Sequence, residues 1–399
     1  MTGTKSTLIF LLIISIAITL ISNSMKNIVF VAKADEGLYL KYATMVSENG
    51  IKGFRDLFKD YFADKSHRIT QNPLRVGFVL IASLWLKLLG YSIYNLALLS
   101  LCSYCIFLFL VFYFARKYLG STLVLPFIIL VAFSPINMAM ARRALIESTI
   151  NLFLFFSILL FFLLLKKKNW INILSFILVY SYAILIKEGS AILSLFFLVY
   201  LLLTRKKNKE YFSFRGFLII AIIPFSIAGI IYTYLAGGFT QFYRAMISVV
   251  TAPEVNAYAV FFCAGPWFRY LLDFMLLSPW ILILGIGFIF FYLTKYKKRD
   301  ELNYLLIFSI CMLSFYSLFI KNIRYLMILD LPLRLFAFLM LYELVSLLFK
   351  EKVIFWLTLT VFILSVFDYL NFYYYFVRYG IYDPVSFCFL QASHIIPYK

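Results

Sequence analysis

Two neighbouring acids open the segment Asp35-Glu36-Gly37-Leu38-Tyr39, and five basic residues able to face an anion lie far from them in sequence: Arg75, Arg142, Arg143, Lys187 and Arg324. A carboxylate within hydrogen-bond reach of an attacking hydroxyl can take its proton. Guanidinium groups grip phosphate oxygens two at a time and stabilise the charge that builds on a departing phosphate. Acid and cations together therefore suit transfer of a group from a phosphate carrier. Such a carrier is already a good leaving group, so the second proton donor of a two-carboxylate glycosidase is not required. Each residue also has a plainer role. The acidic pair could be solvated charge where a helix leaves a bilayer, and Arg142 and Arg143 could snorkel to headgroups. Glu147 could cap the helix that it begins, and Glu188 beside Lys187 reads first as a local ion pair.

The elements that must position these groups are lipid-embedded helices. With 64% hydrophobic, 20% aromatic and only 14% charged residues, the chain has too little polar surface for a soluble globule of 399 residues. The expected fold class is an all-α polytopic membrane protein. Apolar runs long enough to cross the hydrocarbon fall at about 7–24, 93–115, 121–140, 147–165, 216–236, 271–293, 302–320, 325–349 and 353–373. Two shorter runs, about 170–186 and 189–204, form a hairpin around Lys187-Glu188. The first run follows a single lysine, lacks a small-residue cleavage site and reads as a retained anchor.

Sidedness turns on the run Val76 to Gly90. If it lies at the outer interface without crossing, the clusters Arg116-Lys117, Lys166-Lys167-Lys168, Arg205-Lys206-Lys207, Lys295 with Lys297-Lys298-Arg299, and Lys350 with Lys352 all fall on the side of Lys5, as the positive-inside bias requires. The resulting map has about eleven spans, with outer segments at 31–92, 237–270 and 374–399 in a single domain covering 1–399. The charges left at the outer face come from several separate loops. Charge near membrane depth is costly and tends to be functional, so these cations suggest a site for an anion that arrives within the membrane, such as a lipid phosphate.

Other function classes recede. The formal charge of +19 sits in short clusters between apolar runs, which reads as topology signals and lipid contacts and argues against a nucleic-acid partner. Cys102, Cys105 and Cys311 lie in apolar runs as small hydrophobes, and no spacing rule pairs Cys263 with Cys388. With His67 and His394 the only histidines, a histidine-rich metal site is excluded; a divalent ion on Asp35 and other oxygens stays open. Tyr39, Tyr42, Tyr61, Tyr91, Tyr94, Trp267, Tyr369 and the run from Phe372 to Phe376 read as an interfacial aromatic belt.

Four pieces resemble the GT-C class of polyprenyl-phosphate-sugar-dependent glycosyltransferases, nearest to the protein O-mannosyltransferase and aminoarabinose-transferase type. These are Asp35-Glu36-Gly37-Leu38-Tyr39 after the first span, Gln71-Asn72-Pro73-Leu74-Arg75, Ala141-Arg142-Arg143-Ala144-Leu145-Ile146-Glu147, and Asn322-Ile323-Arg324-Tyr325 with Leu331-Pro332 beyond. The sequence departs from the family in having glutamate at 147, where aspartate is commoner, and one proline at 73, where two are frequent.

The resemblance implies a GT-C bundle with interfacial helices in a long first outer loop, and an inverting sugar transfer at the extracytoplasmic face of the plasma membrane. It casts Asp35 and Glu36 as the catalytic carboxylates, with Asp35 as the base. It casts Tyr39, Arg75, Arg142, Arg143, Glu147, Lys187, Arg324 and Tyr325 as substrate contacts. The implied partners are a polyprenyl-phosphate-sugar donor, a lipid, glycan or protein acceptor, and membrane lipids. The rival readings are a lipid-linked glycan flippase or transporter, which predicts an internal repeat and polar sites near mid-membrane, and an O-antigen polymerase or ligase, which would place its large outer loop late in the chain.

Overall fold

The computed structural model describes residues 3–26, 34–64, 71–167, 169–209, 211, 213–255, 260, 263, 265–295, 299–380 and 384–392. His67, His394, Lys168, Lys297, Lys298 and the end of the expected outer tail lie outside them. Among the described residues the fold is built from helices alone, with no strand.

The helices run in order α1 (Gly3–Met25), α2 (Asp35–Asn49), α3 (Ile51–Ala63), α4 (Val76–Leu89), α5 (Ile93–Ala132), α6 (Pro135–Ala141), α7 (Glu147–Lys166), α8 (Trp170–Ile186) and α9 (Leu193–Leu203). They continue with α10 (Ile223–Ala236), α11 (Phe239–Val255), α12 (Arg269–Leu277), α13 (Pro279–Thr294), α14 (Asp300–Tyr316), α15 (Asp330–Leu348), α16 (Val353–Asn371) and α17 (Pro384–Ala392). Six helical stretches among the described residues are long and apolar enough to cross a membrane, and four shorter apolar helices accompany them. The protein is thus a multi-pass membrane protein, and its spans depart from the expected map in an instructive way. The runs 93–115 and 121–140 are two helices that meet within α5 at a non-helical kink at Gly120, and the second run breaks again between Ala132 and α6. At Gly120 φ is 80°, a left-handed conformation open to glycine. The run 271–293 is broken instead at Ser278, where Pro279 starts α13.

The chain divides into two compact units interleaved in sequence. The first comprises Met1–Val29, Leu101–Arg142 and Gly265–Lys399; the second comprises Phe30–Ser100 and Arg143–Ala264.

In the first unit α13 packs along α15, with Phe288 stacked on Phe336 at 5.9 Å in a cluster completed by Tyr292, Leu302, Leu306 and Leu339. This unit also buries charge. The Arg334 guanidinium is wholly enclosed and donates to Asp330 at 2.9 and 3.0 Å, to Asp368 at 2.7 Å, to the Leu130 carbonyl at 2.8 Å and to Ser278 Oγ at 3.1 Å. Asn137 Nδ2 adds a 2.8 Å bond to Asp330, and Ser278 Oγ a 2.8 Å bond to Asp368. Every oxygen of the two carboxylates is thereby met, as a buried polar network requires.

In the second unit α2 is clasped by α3 and α4, and α4 in turn lies on α8. At that last crossing Gly77 meets the α8 backbone: a Cβ there would stand 2.7 Å from the Ile186 nitrogen. Helix α4 buries Val76, Phe78, Val79, Ala82 and Leu86 and exposes Leu80, Leu84, Leu88 and Leu89, so it is a packed helix with one apolar outer face.

Candidate active site

The second unit gathers most of the chemistry-bearing residues picked out in the sequence. Helix α2 starts at Asp35, so its first turn carries both acids. Glu36 turns inward, is nearly fully buried, and receives both Nε and Nη2 of Arg143 in a bidentate pair. Such forked pairing fixes geometry as well as charge. Asp35, half-buried, stands one residue earlier and one turn before Tyr39.

Tyr39 is the hub. Its ring is buried against Phe78 of α4, and its hydroxyl accepts from Arg75 Nη1 at 3.0 Å and donates to Gln71 Oε1 at 3.3 Å. Burial pushes the phenol well above its ordinary value; Arg75 pulls it back, and the carboxylates of Asp35, Glu147 and Glu188 push it further up. Tyr39 therefore stays protonated, within electrostatic reach of three acids and one guanidinium.

Arg75 sits just before α4, after the short segment Gln71-Asn72-Pro73-Leu74. That segment is held from several directions. Tyr42 donates to the Gln71 carbonyl at 2.9 Å, Asn72 Oδ1 accepts the Leu74 N–H at 2.9 Å, and Asn72 Nδ2 reaches the Ala245 carbonyl of α11 at 3.0 Å. The far side of the Arg75 fork meets Glu188, with Nε 3.3 Å from Oε2. Lys187 instead reaches Glu147, Nζ to Oε1 3.8 Å.

This overturns the expected local pair of Lys187 with Glu188. Adjacent residues at a helix start point in different directions. Lys187 ends α8 in extended conformation while Glu188 opens a 3-10 turn, so each finds its partner in another element. Glu147 does begin α7, yet it is buried and bridged to Lys187, so a dipole cap is only part of its role. Arg143 likewise does not snorkel, since Glu36 holds it. The aromatic belt loses five members: Phe372 and Phe376 are buried in the first unit, and three more go for a related reason. Tyr39, Tyr42 and Tyr61 are buried and hydrogen-bonded, whereas Tyr91, Tyr94 and Trp267 are exposed.

Across this cluster four carboxylates, Asp35, Glu36, Glu147 and Glu188, face three cations, Arg75, Arg143 and Lys187. Among the described residues no three His, Cys, Asp or Glu side chains are arranged to hold a metal ion.

The remaining candidates belong to the first unit. Arg142 is 2% exposed and donates to the carbonyls of Ser24 (2.7 Å) and Phe376, which places its charge at the end of α1 and on the π-turn after α16. It does not snorkel either. Arg324 and Tyr325 lie in the 3-10 turn Ile323–Leu329, where Asn322 Oδ1 accepts from the Arg324 backbone N–H at 3.1 Å and Nε at 3.3 Å. The sequence reading missed Asp330, Arg334 and Asp368 altogether. The signal was present: an acid and a base four apart inside one apolar run, and a lone acid in the next.

The comparisons with known proteins bear on this geometry. The family profile of the dolichyl-phosphate-mannose-protein mannosyltransferases matches residues 73–231. That stretch carries Arg75, Arg143, Glu147, Lys187 and Glu188. No curated protein sequence matches the chain. Among solved structures, ArnT from Cupriavidus metallidurans bound to undecaprenyl phosphate aligns with a TM-score of 0.55 at 14% identity, covering 91% of this chain and 75% of that one. The apo state of the same ArnT aligns with a TM-score of 0.52 at 13% identity over the same shares. The fold is thus similar to that of ArnT, and residues 73–231, less than half of the chain, match the mannosyltransferase profile.

Proposed function

We propose that the chain moves a sugar from a polyprenyl-phosphate-linked donor to a lipid, glycan or protein acceptor at the extracytoplasmic face of the plasma membrane, with inversion at the anomeric carbon. The observation that carries this reading is the setting of Asp35, one helical turn before a buried tyrosine ringed by ion pairs. In this reading Asp35, in the first turn of α2, takes the acceptor proton, and Glu36, gripped through both oxygens by Arg143, positions the guanidinium. Arg75, Arg143 and Lys187, all of the second unit, meet the donor phosphate. Each cation of the cluster already has a carboxylate neighbour, so an incoming phosphate exchanges one anionic partner for another and leaves no buried charge bare. The family profile supports a polyprenyl-type donor, as does the undecaprenyl phosphate bound by ArnT.

The test is transfer of label from a polyprenyl-phosphate sugar in vesicles that hold the purified chain. Asp35→Asn should lower transfer by about 10²–10⁴-fold, the usual worth of a general base, with donor binding retained. Glu36→Gln should weaken donor binding as well as turnover. Full activity in Asp35→Asn removes it from the mechanism. Movement of intact donor lipid without transfer would replace the enzyme by a flippase.

A further inference from the structure

Helix α10 ends at Gly237 and Gly238. Their amides bond to the carbonyls of Tyr234 (3.3 Å) and Thr233 (2.9 Å), a stop that glycine permits because φ at Gly237 is 81°. Helix α11 begins at the next residue and has two unlike faces. On one, Ala245 and Ser248 are buried; the Ser248 hydroxyl bonds with Tyr61 of α3 at 2.6 Å, and Phe242 stacks on Tyr232 of α10 at 5.4 Å. On the other, Phe239, Tyr243, Ile247 and Val250 are 66%, 55%, 44% and 72% exposed. Their spacing of four, four and three residues keeps them on one straight stripe of the helix.

Large apolar groups left out in this way mark a surface that is covered by something. The neighbouring elements say what covers this one. Helix α10 closes the stretch Leu218–Ala236, which is long and apolar enough to cross a membrane and exposes Phe225, Ile230 and Tyr234 along its length. Only two residues separate it from α11, and so short a link spans at most about 10 Å. The first turn of α11 is thus within about 10 Å of the end of the lipid-crossing helix. Cations flank the stripe: Arg244 lies over the ring of Phe62 at 4.4 Å, Arg55 over Tyr234 at 5.6 Å, and Lys52 and Lys59 are exposed on α3. An apolar stripe bordered by basic groups is the pattern of a helix lying in a bilayer surface, its cations beside anionic headgroups.

We infer that α11 lies in the plane of the bilayer interface, with Phe239, Tyr243, Ile247 and Val250 sunk into the headgroup–acyl boundary. The seated helix then braces the site, because its Ala245 carbonyl holds Asn72, three residues before Arg75. The inference rests on the membrane reading and not on the transferase reading, so either can fail alone.

The test uses the unmodified chain in vesicles of phosphatidylcholine and phosphatidylglycerol that carry a diazirine in the acyl chain. After illumination and digestion, lipid adducts should appear on residues 239–250 at levels similar to those on Ile230 and Tyr234. A nitroxide on Tyr243→Cys or Ile247→Cys, in a chain with its native cysteines replaced, should be relaxed several-fold more by oxygen than by a water-soluble nickel complex. Lys59→Cys should give the reverse ratio. Adducts on α10 with none on 239–250, or nickel access at 243 and 247 equal to that at 59, would overturn the assignment. Dipolar broadening between nitroxides of two chains at 243 or 247, with low access to oxygen and nickel alike, would give the stripe to a second copy and overturn it equally.

Discussion

Replacing Arg334 by methionine removes the one cation from an enclosure that keeps two carboxylates. The lost contacts are four short hydrogen bonds to Asp330, Asp368 and the Leu130 carbonyl, and a fifth to Ser278. Asp330 and Asp368 are 2% and 4% exposed, so water cannot take over the role of the guanidinium. Stranding buried charge in this way costs about 3–5 kcal/mol, which is roughly 10²–10³·⁵ in the unfolding equilibrium. Ser278→Ala removes a neutral hydroxyl that accepts from Arg334 and donates to Asp368, and interhelical hydrogen bonds in a membrane protein average about 0.6 kcal/mol each. The assay is reversible unfolding of the purified chain in mixed micelles with increasing SDS. The decisive comparison is the triple variant Arg334→Met, Asp330→Asn, Asp368→Asn, which carries no charge there and should regain most of the loss. An Arg334→Met chain within about 1 kcal/mol of wild type, or a triple variant no better than the single one, refutes the view that the network is held by charge pairing.

Two further variants concern the second unit. Tyr39→Phe removes the acceptor of an Arg75 hydrogen bond, and loss of a bond to a charged group at about 1.5–3 kcal/mol predicts a fall in turnover of tenfold or more. The Tyr39 pKa is raised in the folded state, so its contribution to stability is fully present below the unfolded value of about 10 and is lost only as pH climbs above it. The activity–pH profiles of wild type and Tyr39→Phe should therefore be parallel below about pH 9; a crossing there means that Tyr39 titrates in the working range. Gly77→Val forces the α4 and α8 backbones apart and should cost about 1–3 kcal/mol in the same unfolding assay, with activity lowered through Arg75; a Gly77→Val chain as stable and active as wild type would show that the crossing has slack.

Much of the second unit was legible because its signals were local. An acidic pair after the first span, a proline-leucine segment ending the loop and an arginine shortly before an acid at a helix start each announce themselves over a few residues. What could not be read was who partners whom. Lys187 and Glu188 are neighbours in sequence yet bind Glu147 and Arg75, and Glu36 takes the arginine that follows Arg142. Partner choice depends on the direction of each side chain where a helix begins or ends, and composition and spacing carry no such direction. Arg142 shows the same limit, since nothing local reveals that it spends its charge on the carbonyls of Ser24 and Phe376. The Asp330, Arg334 and Asp368 enclosure is a different case. Charges at membrane depth always deserve an explanation, and an apolar run that tolerates an acid and a base four residues apart was a readable clue.

The crossing of α4 and α8 at Gly77 reaches beyond this one chain. A contact between main chains leaves no freedom to slide, so the register of one helix on the other is locked to a single residue. Arg75 and Glu188 sit two residues from either side of that lock, which sets how far each can reach toward the other. Related chains with a bulkier residue at this point must carry the helices in a shifted register. In them the arginine–glutamate contact should be lost or rebuilt from other positions. The residue at 77, though it bears no functional group, thus becomes a marker for sorting such chains by how their sites are assembled.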